Sequence, residues 1–319
     1  MMEKKIILAH DLEENLVTAV KEAAPEWTVI TGKDEEQWGP HMKDASIVAG
    51  WKKAMTPYLE QAENLDWVQS WSAGIDSHPL EDFEKHNIKL TSANGVHAYP
   101  ISETIFAMLL GWTRHIHTYT RQQQEKKWHH AGLKLELHGK KIAILGAGAI
   151  GKETAKIAKA FGMKVAGFRR SGKDEEYFDQ MYKLDQLEAV LPDCDYVVIT
   201  LPLTKETNGL FTAETFKCMK PDSFLVNIGR GEIIDEEAMI QALRNGKIAG
   251  AGLDVFATEP LPEESPLWNM ENVIITPHTA GSTQYYNDRV IKDILLPNLK
   301  SFINDEKLLV NLVDYSKGY

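Results

Sequence analysis

The sequence predicts an α/β protein of two doubly wound parallel-sheet domains, one inserted into the other. Three observations carry this. Strand-like and helix-like segments alternate through the first hundred residues, the pattern of a parallel sheet with crossover helices. A second alternation starts near residue 141 and opens on a glycine-rich turn. A last helical segment follows and returns the chain to the first domain. Residues 1–97 with 284–319 are read as one discontinuous domain and 98–283 as the other; 319 residues suffice for two domains of ordinary size.

In chain order, the first domain offers strands at 5–9, 27–30, 46–50, 67–71 and 88–91, with helix-like stretches such as 12–24 and 57–62 between them. It has no glycine-rich phosphate loop. Residues 100–119 are long and apolar on several faces (Ile101, Ile105, Phe106, Met108, Leu109, Leu110) and predict one buried connecting helix. Pro100 suits its first position, where the missing N–H is no loss. A polar, basic-aromatic stretch at 121–138 leads into the second domain. There, strands are expected at 141–145, 164–168, 196–201, 224–228, 249–254 and 272–276. From Ser282 the pattern is helical again, with an apolar tail near Leu308, Leu309 and Val310.

Gly146-Ala147-Gly148-Ala149-Ile150-Gly151 joins the 141–145 strand to a helical stretch at 152–161, whose Ala155, Ile157, Ala158 and Phe161 can pack on a sheet. Strand, glycine turn, helix and strand in this order predict dinucleotide binding, the Rossmann-type arrangement. Glycines let the backbone approach a pyrophosphate, and a helix N-terminus presents free N–H groups and a positive dipole end. An NAD site usually carries an acidic residue about twenty positions past the glycines, on the ribose 2′-hydroxyl. Here Arg169, Arg170 and Ser171 stand instead, and no carboxylate appears before Asp174. Guanidinium forks suit a 2′-phosphate, so NADP is expected as the preferred cofactor, with NAD possible as a second.

Composition narrows the class. Apolar residues make up 43% and charged residues 25%, as in a globular, soluble protein. A net charge of -11 argues against nonspecific nucleic-acid binding. The two cysteines, Cys194 and Cys218, lack metal-ligand spacing, so neither a disulfide framework nor a metal is expected and a cytoplasmic setting is the default. The apolar run near the N-terminus is too short for a membrane span.

Three segments fall at the ends of late strands: Asn227-Ile228-Gly229-Arg230-Gly231, Gly252-Leu253-Asp254-Val255-Phe256 with Glu259-Pro260, and Thr276-Pro277-His278-Thr279-Ala280-Gly281. Carboxyl ends of strands line the ligand crevice in such sheets. With Ser72-Ala73-Gly74-Ile75-Asp76 and the glycine unit, these motifs make the chain resemble the D-isomer-specific 2-hydroxyacid dehydrogenases over nearly its whole length. That resemblance implies a Rossmann-type coenzyme domain inserted into a flavodoxin-like substrate domain. It also implies NADPH-dependent reduction of a 2-oxo acid to a D-2-hydroxy acid, with Arg230, Glu259 and His278 as catalytic residues. His278 donates the proton, Glu259 orients its ring and favours the imidazolium, and Arg230 grips the substrate carboxylate and polarises the carbonyl.

The resemblance implies further positions. Ser72, Ala73 and Gly74 meet the carboxylate through their backbone. Thr200, Leu201, Pro202, Leu203, Ile228, Gly229, Ala280 and Gly281 lie along the cofactor, Thr207 touches its phosphates, and Asp254 sits near the nicotinamide. Trp51 either walls the substrate pocket or is an ordinary half-buried aromatic; His97, Tyr99 and Trp268 are weaker candidates of the same kind. Tyr119 and Trp128 belong to a subunit contact, since the family dimerises through this region. Glu259 disfavours formate dehydrogenase activity, where glutamine stands. The length leaves no place for the regulatory domain of many phosphoglycerate dehydrogenases, so that NAD-linked activity is the less expected alternative. A nucleotide-sensing corepressor scaffold on the same fold is another. Which 2-oxo acid is reduced stays open.

Overall fold

The computed structural model describes residues 4–75, 77–130, 132, 135–304 and 307–315. Asp76, part of the serine-glycine motif, lies outside them. The chain divides into two compact units: one made of the residues up to Val96 and from Thr283 onward, the other of His97–Ser282.

The first unit is built on five parallel strands in the order β2-β1-β3-β4-β5, namely β1 (Lys5–Leu8), β2 (Thr28–Thr31), β3 (Ala45–Ala49), β4 (Trp67–Gln69) and β5 (Lys89–Thr91). Ile6, Ile7 and Leu8 are all fully buried. Both faces of a parallel sheet are covered, so the sequence shows a continuous apolar run rather than alternation. The side chains still alternate in space. Ile6 and Leu8 join Leu16, Val20, Ile47, Trp67 and Leu299 on one face. Ile7 joins Val48, Val68, Leu90, Trp38 and Phe83 on the other.

The second unit holds seven parallel strands in the order β12-β11-β10-β9-β6-β7-β8. They are β6 (Lys141–Leu145), β7 (Lys164–Phe168), β8 (Gln180–Tyr182), β9 (Tyr196–Ile199), β10 (Phe224–Asn227), β11 (Gly250–Leu253) and β12 (Val273–Ile275). From β6 the order runs one way through β7 and the other way through β9, with both flanking β6. That reversal opens a crevice at the carboxyl ends, where ligands of doubly wound sheets bind. Ala143 and Leu145 pack into one core, Ile142 and Ile144 into the other.

The predicted helix at 100–119 is two helices, Ala98–Thr113 and Ile116–Gln124, separated by His115 in the left-handed region (φ 52°). The break falls where burial ends: the first helix buries eight residues and the second none. Pro100 occupies the third helical position instead of the first, still within the turn that lacks intrahelical donors. The stretch expected at 57–62 is part of a 3-10 helix, Lys53–Gln61, with Pro57 inside it. β8 was not anticipated, being three residues at a sheet edge. After Ser282 the helix starts only at Tyr286 and passes through a π-helical stretch, Val290–Leu295, before Leu296–Ile303. Pro297 explains the irregularity, because it removes a ladder N–H and crowds the preceding turn. No helix among the described residues is long and apolar enough to cross a membrane.

Candidate active site

The glycine turn follows β6 directly. Gly146 has φ 110°, a region that excludes side chains, and a Cβ there would lie 2.6 Å from Thr200 Oγ1. That hydroxyl donates to Gly146 O (2.9 Å) and Leu145 O (3.1 Å), tying the turn to the end of β9. A Cβ on Gly151 would sit 1.8 Å from Gly146 O, so only glycine lets the helix approach the turn. Gly148 differs: a Cβ there meets nothing within 4 Å. It caps helix Ala149–Ala160, whose first intrahelical donor is Lys152, bonded to Gly148 O at 2.8 Å. The amides of Ala149, Ile150 and Gly151 thus precede the ladder, beside open space, which fits a pyrophosphate. Arg169 and Arg170 follow β7; Arg169 Nη1 lies 3.1 Å from Glu175 Oε2, and Arg170 Nη2 lies 3.6 Å from Glu206 Oε2. Ser171 is exposed, and its hydroxyl accepts the Lys173 N–H (3.3 Å).

The loop after β10 is shaped by buried Asn227, which accepts the Gly229 N–H and donates to Arg230 O, each at 3.0 Å. Gly231 lets this loop press on the loop after β11, since a Cβ would fall 1.9 Å from the Phe256 carbonyl carbon. Arg230 is exposed, with Nη1 donating to Gly229 O (2.7 Å). On the loop after β11, Glu259 is joined to Pro260 by a cis peptide bond and accepts the Phe256 N–H on Oε1 at 3.0 Å. Its other oxygen lies 2.6 Å from His278 Nδ1. Burial raises the Glu259 pKa, but hydrogen bonds from His278 and Phe256 and the charges of His278 and Arg230 outweigh it, and the net direction is down. The Arg230 charge thus acts on Glu259.

His278 has φ 52°. Asp254, buried, holds it there: Asp254 O accepts the His278 N–H (2.9 Å), and its carboxylate accepts from Thr276 Oγ1 (2.6 Å), Thr279 N (2.9 Å) and Ala280 N (3.1 Å). The carboxylate expected beside a nicotinamide thus latches the turn that carries His278. Thr207 is likewise buried: its hydroxyl donates to Pro202 O (2.7 Å) and accepts the Thr204 N–H (2.8 Å), shaping the 202–207 loop rather than reaching outward. Leu201, Ile228 and Ala280 are buried and Pro202 is exposed. Gly229 approaches Leu201 O, and Gly281 O lies 2.9 Å from His97 Nδ1.

Ser72, Ala73, Gly74 and Trp51 belong to the first unit, and Tyr99, Trp128 and Trp268 to the second. Ser72, Ala73 and Gly74 form an exposed loop after β4. The Ser72 amide bonds Ser70 Oγ (3.0 Å), while those of Ala73 and Gly74 have no acceptor among the described residues. Trp51 packs edge-on against Phe83 (4.9 Å), and its buried indole N–H finds no acceptor there either. Tyr99 and Trp268 are about half exposed, and Trp128 is fully exposed. Thr200, expected along the cofactor, also ties the glycine turn to β9. Sequence reasoning gave no separate role to Asn227 or Thr276, whose only signal was membership of the segments that carry Arg230 and His278.

Residues 106–280 match the model of the D-isomer specific 2-hydroxyacid dehydrogenase NAD binding domain. The chain is 32% identical to a glyoxylate reductase of Pyrococcus furiosus over 96% of this chain and 94% of that one. Among solved structures, it is similar to a D-isomer specific 2-hydroxyacid dehydrogenase family protein of Aeromonas salmonicida (35% identity, TM-score 0.82, 99% and 100% covered). It is also similar to an NADPH-dependent glyoxylate/hydroxypyruvate reductase of Sinorhizobium meliloti, solved with NADP and sulfate (28% identity, TM-score 0.78, 99% and 100% covered). The chain belongs to the D-isomer specific 2-hydroxyacid dehydrogenase family and is an NAD(P)-dependent oxidoreductase.

Proposed function

We propose that the protein reduces a 2-oxo acid to a D-2-hydroxy acid with NADPH. The 2.6 Å bond between His278 and Glu259, within reach of the Arg230 charge, carries this reading. Gly146, Gly148, Ala149, Ile150 and Gly151 cradle the pyrophosphate, Arg169, Arg170 and Ser171 take the 2′-phosphate, and Leu201, Pro202, Ile228, Gly229, Ala280 and Gly281 border the nicotinamide half. The bound cofactor supplies the hydride. Arg230 binds the substrate carboxylate and draws electron density toward the carbonyl oxygen. His278, its Nδ1 held by Glu259, turns Nε2 to that oxygen and donates the proton. Asp254 and Thr207 act through the loops they hold. A homodimer with Tyr119 and Trp128 in its contact completes the reading.

A panel of 2-oxo acids, from glyoxylate and hydroxypyruvate to branched and aromatic acids, assayed with NADPH and NADH, tests it. Reduction of at least one acid, faster with NADPH, is expected. Cofactor binding without turnover of any acid would favour the scaffold alternative.

A further inference from the structure

The two arginines after β7 already face carboxylates of this chain. The Arg169 amide is pinned to Tyr182 O (3.1 Å), and its side chain is 34% exposed beside Glu175 at 24%. Glu175 Oε2 takes Arg169 Nη1 at 3.1 Å. Its Oε1 accepts the Glu176 N–H (3.1 Å) and lies 3.2 Å from Lys152 Nζ, in the first turn after the glycine loop. One oxygen is thus anchored to the fold while the other occupies the guanidinium. The Arg170–Glu206 pair is different, at 3.6 Å with both side chains more than 70% exposed. Exposed pairs of that kind contribute little. Only Glu175 is built into the site.

We propose that Glu175 is a specificity-determining residue that competes with the cofactor's 2′-phosphate for Arg169, holding the preference for NADPH over NADH below what the arginines alone would give. This rests on reading Arg169 and Arg170 as 2′-phosphate ligands. A phosphate that takes Arg169 must displace the Glu175 carboxylate or lie beside it, and like charges at such separations repel. The 2′-hydroxyl of NADH is neutral, so Arg169 keeps its carboxylate and the penalty does not arise. Hydrogen bonding from the Glu176 amide and from Lys152 holds the Glu175 pKa below its ordinary value, so the competitor is anionic at neutral pH.

Glu175→Gln tests this, because it keeps the shape and a carbonyl oxygen for Arg169 and removes only the charge. In calorimetric titrations of the full chain, adenosine 2′,5′-bisphosphate should bind about 3–10-fold tighter to the variant, and adenosine 5′-monophosphate within about twofold of wild type. The NADPH to NADH ratio of kcat/KM should rise by the same factor. Glu176→Gln removes a neighbouring charge that touches Lys152 (3.1 Å) and serves as the control, with bisphosphate affinity within about twofold of wild type. Unchanged or weaker bisphosphate binding in Glu175→Gln overturns the proposal, as does an equal gain in Glu176→Gln, which would assign the effect to the general field. Replacing Arg169 and Arg170 together by alanine separates the two readings. Bisphosphate binding that survives this double change removes the 2′-phosphate assignment itself. Loss there, with no gain in Glu175→Gln, leaves the arginines as ligands and removes Glu175.

Discussion

His278 is positioned twice, by Glu259 on its ring and by Asp254 on its backbone. The first contact tunes chemistry and the second tunes geometry, so their variants should differ. His278→Ala should lower kcat for 2-oxo acid reduction by about 10²–10⁴ and leave NADPH affinity nearly unchanged, since the phosphates are held elsewhere. A variant retaining more than about half of the wild-type rate, with chemistry shown to be limiting, would require another donor. Glu259 is ionised to lower pH than an ordinary carboxyl. Glu259→Gln removes that titrating anion and keeps an oxygen for the His278 ring, so the acid limb of the kcat profile should be displaced. A pH–rate profile with no such displacement would leave Glu259 a purely steric support. A second histidine makes a stability prediction. His10 stacks on Trp71 (4.6 Å between centroids), and burial, then the Lys52 charge, push its pKa down to about 4, against a small opposing effect of Asp11. The unfolded chain takes up a proton near its ordinary value of 6.5, before the folded one does. This contribution to stability is therefore complete above that value and is lost as the pH falls to about 4. The drop in melting temperature between pH 7 and pH 4 should be smaller in His10→Phe than in wild type; an equal drop would place the acid sensitivity elsewhere.

At the scale of elements, the β6–turn–helix unit separates folding from binding at two glycines. Gly151→Ala places a methyl against backbone, 1.8 Å from Gly146 O, and should destabilise by about 1–3 kcal/mol because neither partner can rotate away. Gly148→Ala meets no protein atom, so stability should hold while NADPH affinity falls at least ~10-fold, the methyl standing where phosphate approaches the amides. Equal thermal midpoints with unchanged affinity for Gly148→Ala would move the phosphate off this helix. This unit was legible in the sequence because its parts are near neighbours: six residues fix the turn, and flanking apolar runs fix the strand and helix. The Arg230, Glu259 and His278 motifs were legible for the same reason, each lying within a few residues of its strand end. What was hidden depended on contacts across the chain. Asp254 is a latch only because the amides of Thr279 and Ala280 fold back onto it. Thr207 is an internal prop because Pro202 O curls over it. Glu175 meets Arg169 through a turn that local pattern does not reveal. The split after Thr113 escaped notice because apolar spacing continues through Ile116 although burial stops.

At the scale of the molecule, each unit has its own parallel sheet covered on both faces, and the glycine turn, both arginines and the three catalytic candidates all belong to His97–Ser282. Two cores of this kind should unfold as two calorimetric transitions. A ligand stabilises the unit that binds it in proportion to RT ln(1 + [L]/Kd), about 2.7 kcal/mol at a hundredfold excess over Kd. For a unit of this size that corresponds to a rise of about 5–10 °C in its midpoint. NADPH should therefore raise one transition by this amount and the other by much less. The same selective rise is expected in His278→Ala, whose change touches the proton path and not the phosphates. It should shrink to the NADH value when Arg169 and Arg170 are both replaced by alanine, because only the 2′-phosphate distinguishes the two cofactors. A single transition, or an equal rise in both, would show that the units do not fold independently. A full NADPH rise in the double arginine variant would remove the charge argument for the cofactor preference and leave the glycine turn as the site's only cofactor-specific feature.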